Sequence, residues 1–231
     1  MSAGARGALV AVLAVVLSAC TLDLDVRVGV VADGSGSVAV DVAVDAGALA
    51  RAGGDLAAVV DLDRLRADGW TVDGPTSTAG GGSRLRLRQG FDSPEDADRV
   101  LAALAGDGGA SPFRDLHVDR EVSALRTRWR FGGTVDLSRG LAVPGVTPGG
   151  SGEPLPTDVG GLERQLGASL DRLLRLRVGV QLPGEVRSNA TTKADNGAVW
   201  QVRFGDGPLD LEATGTRTRT TTVALLAVGA V

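Results

Sequence analysis

The chain has 231 residues, 28 acidic and 24 basic side chains, and a formal net charge of −4. Mild acidity argues against a nucleic-acid binder relying on bulk attraction, and a single cysteine excludes an internal disulfide framework or a thiolate metal site. Lys193 is the only lysine and Tyr is absent, so basic chemistry rests on arginine and the core on Val, Leu and Ala.

Residues 1–19 have a secretory layout: Arg6, an apolar run from Ala8, then the small pair Ser18-Ala19. The run is shorter than the roughly 20 residues a spanning helix needs. Leu17-Ser18-Ala19-Cys20 resembles a bacterial lipobox, in which the thiol takes a diacylglycerol and the peptide is cut just before it. On that reading 1–19 is a lipoprotein signal peptide and Cys20 is the lipidated first residue of the mature chain. The protein then sits on the extracytoplasmic face of the cell membrane, held there by the diacylglycerol. An ordinary cleaved signal and an uncleaved anchor are the alternatives.

A folded domain is expected over 20–215. Leu22, Leu24, Val26, Val28 and Val30 alternate with other residues, as do Val38, Val40, Val42 and Val44, with Asp33-Gly34-Ser35-Gly36 between the runs. This period of two predicts a hairpin with one face buried. The turn suggests the pairs Val30–Val38 and Val26–Val42, which place Arg27 opposite Asp41. Asp55 predicts the cap of a helix from Leu56 to Asp68, closed by Gly69. A short strand around Trp70-Thr71-Val72, a Gly80-Gly81-Gly82-Ser83 linker and the alternating strand Arg84–Arg88 follow. Ser93-Pro94-Glu95-Asp96 then opens a helix with Ala97, Val100, Leu101 and Leu104 on one face and Gly106 at its end.

Phe113–Val122 and Leu125–Leu137 read as another strand pair, with a bulge at Gly132-Gly133 in the second. Pro144, Pro148, Pro154 and Pro156 among glycines make 140–160 an exposed loop. Asp158 precedes Leu162, Leu166, Leu170 and Leu173, a third amphipathic helix. The next strand, Leu174–Leu182, stops at Pro183-Gly184, and strands near Val199–Phe204 and Leu209–Ala213 finish the domain. Residues 216–231 are a Thr/Arg segment and the apolar run Val223–Val231, which reads as a last strand, an interfacial tail or an incomplete transmembrane helix. Strand pairs alternating with single helices predict an α+β fold, a largely antiparallel sheet with amphipathic helices packed on one face.

Arginine recurs on alternate positions: Arg84, Arg86 and Arg88; Arg126, Arg128 and Arg130; Arg175 and Arg177. Each set points away from the apolar face of its strand. As neighbours these strands would make a guanidinium face able to hold an anionic headgroup. Apart, they are a solvated surface balanced by Asp23, Asp25, Asp41 and Asp45. No catalytic set assembles. His117 is the only histidine, no Gly-x-Ser-x-Gly element occurs, and Lys193 follows Thr192, which excludes a phosphate-binding loop. Asp61/Asp63 and Glu95/Asp96 fall on a helix and at a helix start, where acids are expected. Asn189-Ala190-Thr191 matches a glycosylation sequon, a chance match in a bacterial lipoprotein. The expectation is a non-enzyme with no cofactor and no metal.

Val180-Gln181-Leu182-Pro183-Gly184-Glu185-Val186, then Asn189-Ala190, Gly197 and Trp200, taken with Cys20 and the hairpin behind it, resemble the LppM-like family of actinobacterial lipoproteins. The resemblance is loose over the mature chain and most specific over 178–213. It implies an envelope-anchored α/β domain, lipid or lipoglycan binding, and often a C-terminal transmembrane helix, from which this apolar tail of nine residues departs. It carries over no catalytic residue, only the lipidated Cys20. Two functions compete: an envelope module binding a lipid or lipoglycan, or a scaffold meeting another envelope protein with no small ligand.

Overall fold

The computed structural model describes residues 21–51, 54–58, 60–105, 111–137, 174–194, 196–203 and 205–218. The signal peptide, Cys20, the 140–160 loop, the helix expected after Asp158 and the apolar tail lie outside these residues.

The alternating runs form β1 (Leu22–Val30) and β2 (Gly36–Val44), an antiparallel hairpin. Its register differs from the expected one by two residues: Val28 pairs with Val38 and Val26 with Val40. The cause is a tighter turn, closed by Val31 N–H donating to Ser35 C=O at 2.7 Å, which brings Gly36 opposite Val30. A slip of two keeps every valine on its face, and Val26, Val28, Val40 and Val42 are all buried. It also separates Arg27 from Asp41: Arg27 faces Ala39, and Asp25 faces Asp41.

The helix expected over 56–68 is broken. A 3-10 turn at Leu56–Ala58 precedes α2 (Leu62–Ala67), because Asp61 restarts the helix by accepting the Arg64 N–H at 2.9 Å. A short α1 (Ala46–Arg51), which alternation did not signal, follows β2 directly. Next come β3 (Thr71–Ser77) and β4 (Ser83–Phe91), and the glycines expected as a linker form the turn between them. The helix at Ser93 is found as α3 (Pro94–Ala105), with Ser93 Oγ accepting the Asp96 N–H and Ala97, Val100, Leu101 and Leu104 buried. Strands β5 (Phe113–Val122) and β6 (Arg126–Val135) pair as expected, but the extra residue lies on β5, between Arg114 and His117, opposite the two glycines. There Asp115 takes φ 51°. The remaining strands are β7 (Leu174–Gln181), β8 (Glu185–Ser188), β9 (Thr192–Ala194), β10 (Gly197–Val202) and β11 (Leu209–Thr218). Strand β11 runs past the expected domain boundary at 215.

These strands make two sheets instead of one. The larger has the order β3-β4-β2-β1-β7-β10-β9 and the smaller β5-β6-β11-β8. Pairing is antiparallel except between β1 and β7. Among the described residues the fold is therefore mostly β, with few short helices. One core lies between the sheets: Trp200 of β10 meets Phe131 of β6 with ring centroids 6.0 Å apart, and α3 packs on β5, β2 and β4. The chain passes from the larger sheet to the smaller through Leu182-Pro183-Gly184, where Gly184 has φ 86° and a Cβ would sit 2.1 Å from the Thr216 carbonyl oxygen. Only glycine fits there.

The two ends of the larger sheet differ. At one end Asp45 accepts from both the N–H and the hydroxyl of Thr21 and also from the Ala48 N–H (2.8 Å), tying the start of β1 to α1. At the far end the 31–35 turn meets the smaller sheet, where Arg120 Nη1 donates to Asp33 C=O at 2.7 Å. Strand β11 ends there too, since Thr218 pairs with Arg126 and Thr216 touches the Gly184 turn.

Candidate functional site

The outer face of the larger sheet carries its charge in rows that run across the strands. One row is Arg177–Asp25–Asp41–Arg86–Asp73, and the next towards the Thr21 end is Arg175–Asp23–Ala43–Arg84–Thr76. Two carboxylates directly opposite each other repel, and here arginines surround them. Asp25 takes Arg27 Nε at 2.9 Å and Arg177 at 3.6 Å; Asp41 takes Arg84 at 2.6 Å and Arg86 at 3.4 Å. Both carboxylates are only 18% exposed, so they sit below the guanidinium layer and hold it. The hydrogen bond that Arg27 donates to Asp25 raises the Arg27 pKa above its ordinary value.

The three arginine rows of the sequence do not meet. Strands β4 and β7 belong to one sheet but have β2 and β1 between them, and their aspartates neutralise Arg84, Arg86, Arg175 and Arg177 on either side. Strand β6 belongs to the other sheet, where Glu121 holds Arg128 at 3.5 Å and Arg130 at 3.0 Å. Arg126, at the end of that strand, is exposed. The expected continuous guanidinium face is absent because non-local strand order interposes acids and splits the set across two sheets.

One row on the larger sheet contains no acid: Gly179–Arg27–Ala39–Arg88–Thr71. Arg88 reaches only a hydroxyl, Ser37 Oγ, at 3.3 Å. With strands about 4.8 Å apart, the Arg27 and Arg88 backbones stand about 10 Å from each other across the single methyl of Ala39. These side chains line a surface concavity of about 520 Å³ together with Asp25, Asp41, Asp73, Arg84 and Arg86. The following row, Gln181–Gly29–Ser37–Gly90, is nearly bare of side chains. At Gly29, Gly90 and Gly179 a Cβ would make only ordinary contacts, at 3.9, 3.8 and 3.7 Å. Neither packing nor backbone conformation demands glycine there; its effect is to leave the sheet backbone open from outside.

A second concavity, about 420 Å³, opens on the smaller sheet beside the β5 irregularity. His117 lies there over Gly132, with Nδ1 2.7 Å from Asp115 C=O and Nε2 3.8 Å from Asp119. Among the described residues no three His, Cys, Asp or Glu side chains are placed to hold a metal ion.

No family model matches the chain and no curated protein matches it. Among solved structures it is similar to the folded domain of LppM from Mycobacterium tuberculosis, determined by NMR. That likeness has 11% identity and a TM-score of 0.46, and covers 87% of this chain and 93% of that one. Similarity at this level carries no argument about function.

Sequence reasoning missed Arg27 and Ala39 because the assumed register gave Arg27 to Asp41. The available signal was glycine at outward positions of three alternating strands, Gly29, Gly90 and Gly179. No helix among the described residues is long and apolar enough to cross a membrane.

Proposed function

We propose that the protein is a membrane-anchored lipoprotein of the cell envelope, non-catalytic, that binds an envelope lipid or lipoglycan by its anionic headgroup. The observation supporting this reading is the acid-free row: two guanidiniums flank Ala39 at the rim of a concavity, beside a glycine-lined stretch of open backbone. An oxyanion between Arg27 and Arg88 receives charge-assisted hydrogen bonds from Arg88 and from Nη1 of Arg27, whose Nε and Nη2 hold Asp25, and the bare strip lets a sugar or glycerol portion lie close to the sheet. The anchor is the diacylglycerol on Cys20, adjoining Thr21.

The test is mass spectrometry of lipid that co-purifies with the mature protein, with thermal shift against anionic lipid as a second readout. An anionic amphiphile is expected, lost in Arg88→Gln, whose guanidinium reaches only a hydroxyl, and retained in Arg130→Gln, which lies on the other sheet and already serves a carboxylate. A lipid-free protein without a thermal shift would replace this reading by the scaffold one, in which the exposed surface and the 140–160 segment meet another protein.

A further inference from the structure

Three large apolar side chains are markedly exposed among the described residues: Val31 at 55%, Val122 at 52% and Leu125 at 47%. All lie at the end of the domain where the β1–β2 and β5–β6 turns meet, and both turns are locked by their own hydrogen bonds. In the first, Val31 N–H donates to Ser35 C=O at 2.7 Å, and Asp33 Oδ1 accepts from the Ser35 N–H (2.9 Å) and hydroxyl (2.7 Å). In the second, Ser123 N–H and Oγ both donate to Arg126 C=O, at 2.9 and 2.8 Å, while Oγ accepts the Arg126 N–H at 3.2 Å. Leu125 therefore stands at the apex of a closed turn. Arg120 ties the two turns together by donating to Asp33 C=O at 2.7 Å. Two further arginines rim the aliphatic patch: Arg126 adjoins Leu125, and Arg217 of β11 lies level with Thr127 and Val122. Both are exposed, and neither meets a carboxylate among the described residues. The nearby Glu121 is engaged by Arg128 and Arg130.

From these observations we infer that the tip is a docking surface for an acidic protein partner, one that offers aliphatic side chains to Val31, Val122 and Leu125 and carboxylates to Arg126 and Arg217. Aliphatics held out by closed turns lose little freedom on binding, and arginine is enriched at protein interfaces. Unneutralised guanidiniums beside them select an acidic surface by charge complementarity. A second copy meeting tip to tip would set these same arginines against each other. The choice of protein over membrane rests on the anchor proposed at Cys20. That anchor adjoins Thr21 at the start of β1, and Val31 follows the other end of the strand. The 9 residues of β1, about 30 Å of extended chain, lie between the lipid attachment and the tip.

The experiment uses the full chain in the cells that make it, with photoreactive p-benzoylphenylalanine in place of Leu125 or, as a control, of exposed Asp63 on α2. Illumination should yield an adduct with one protein from position 125 and not from 63, and mass spectrometry should place the bond in an acidic segment. Arg126→Glu and Arg217→Glu should each lower the yield about tenfold, and changing an acid of that segment to arginine should restore it. Arg88→Gln, which removes a headgroup contact, should leave the yield unchanged, so the tip and the headgroup row fail separately. Failure of the anchor reading would show on its own, as Cys20→Ala protein that stays in the membrane fraction without its signal peptide. An adduct with lipid, with a second copy or with another segment of this chain would overturn the inference. So would a protein adduct indifferent to the arginine variants, or no adduct at 125.

Discussion

Asn189 joins the sheets through one short side chain. Its Oδ1 accepts from Trp200 Nε1 (2.9 Å) and from the Glu212 N–H (3.0 Å), while Nδ2 donates to Asp210 C=O (2.9 Å). Asn189→Ala leaves the indole and a backbone N–H without their acceptor, and the urea unfolding midpoint should report a loss of about 1–3 kcal/mol. The spacing of Asn189 and Trp200 was visible in the sequence, but its reason was not, since a carboxamide spanning two sheets leaves no periodicity. Two exposed carboxylates respond to acid. The Ser35 hydroxyl and N–H lower the Asp33 pKa, and hydrogen bonds to its own N–H and to Ser93 lower that of Glu95. For a depressed folded-state pKa the stabilisation is complete above the ordinary carboxylate range and fades as pH falls through the lowered value. Carboxyl chemical shifts should therefore titrate below the ordinary range, and Asp33→Asn should flatten the acid limb of the stability–pH curve.

At the scale of elements, alternation identified β1, β2, β4 and β7 because their faces differ in solvation. Register was less legible. Slips of two leave the apolar pattern unchanged, so the Val31–Ser35 turn decided which residue faces Arg27. The broken helix at Asp61 has a similar origin, since a mid-helix aspartate can act as a new cap and apolar spacing does not reveal which role it takes. Val40, 2% exposed at the centre of β2, tests the packing of the hairpin. Val40→Ala should lower stability by about 1–3 kcal/mol in denaturant titration, and Val28→Asp should prevent folding.

For the molecule as a whole, the parallel pairing of β1 with β7 and the β6–β11 ladder join residues far apart in the chain. Local patterns do not encode such contacts, so one sheet was expected where two occur and the arginine rows could not be placed. The strands themselves, with their buried faces, were legible; their neighbours were not. The proposed localisation rests on the four residues ending at Cys20. Cys20→Ala should move the protein from the membrane fraction to the soluble one or leave uncleaved precursor, scored by fractionation and N-terminal mass.

The proposed attachment next to Thr21 would also have a mechanical meaning. Strand β1 lies inside the sheet, bonded along its length to β2 on one side and β7 on the other. A tug on such an anchor would run along the strand axis and strain both ladders together in shear. The same tether on an edge strand would strain one ladder instead of two. Forced rupture depends on the unfolding barrier and not on equilibrium stability, so pulling between residues 20 and 218 should meet a single abrupt resistance.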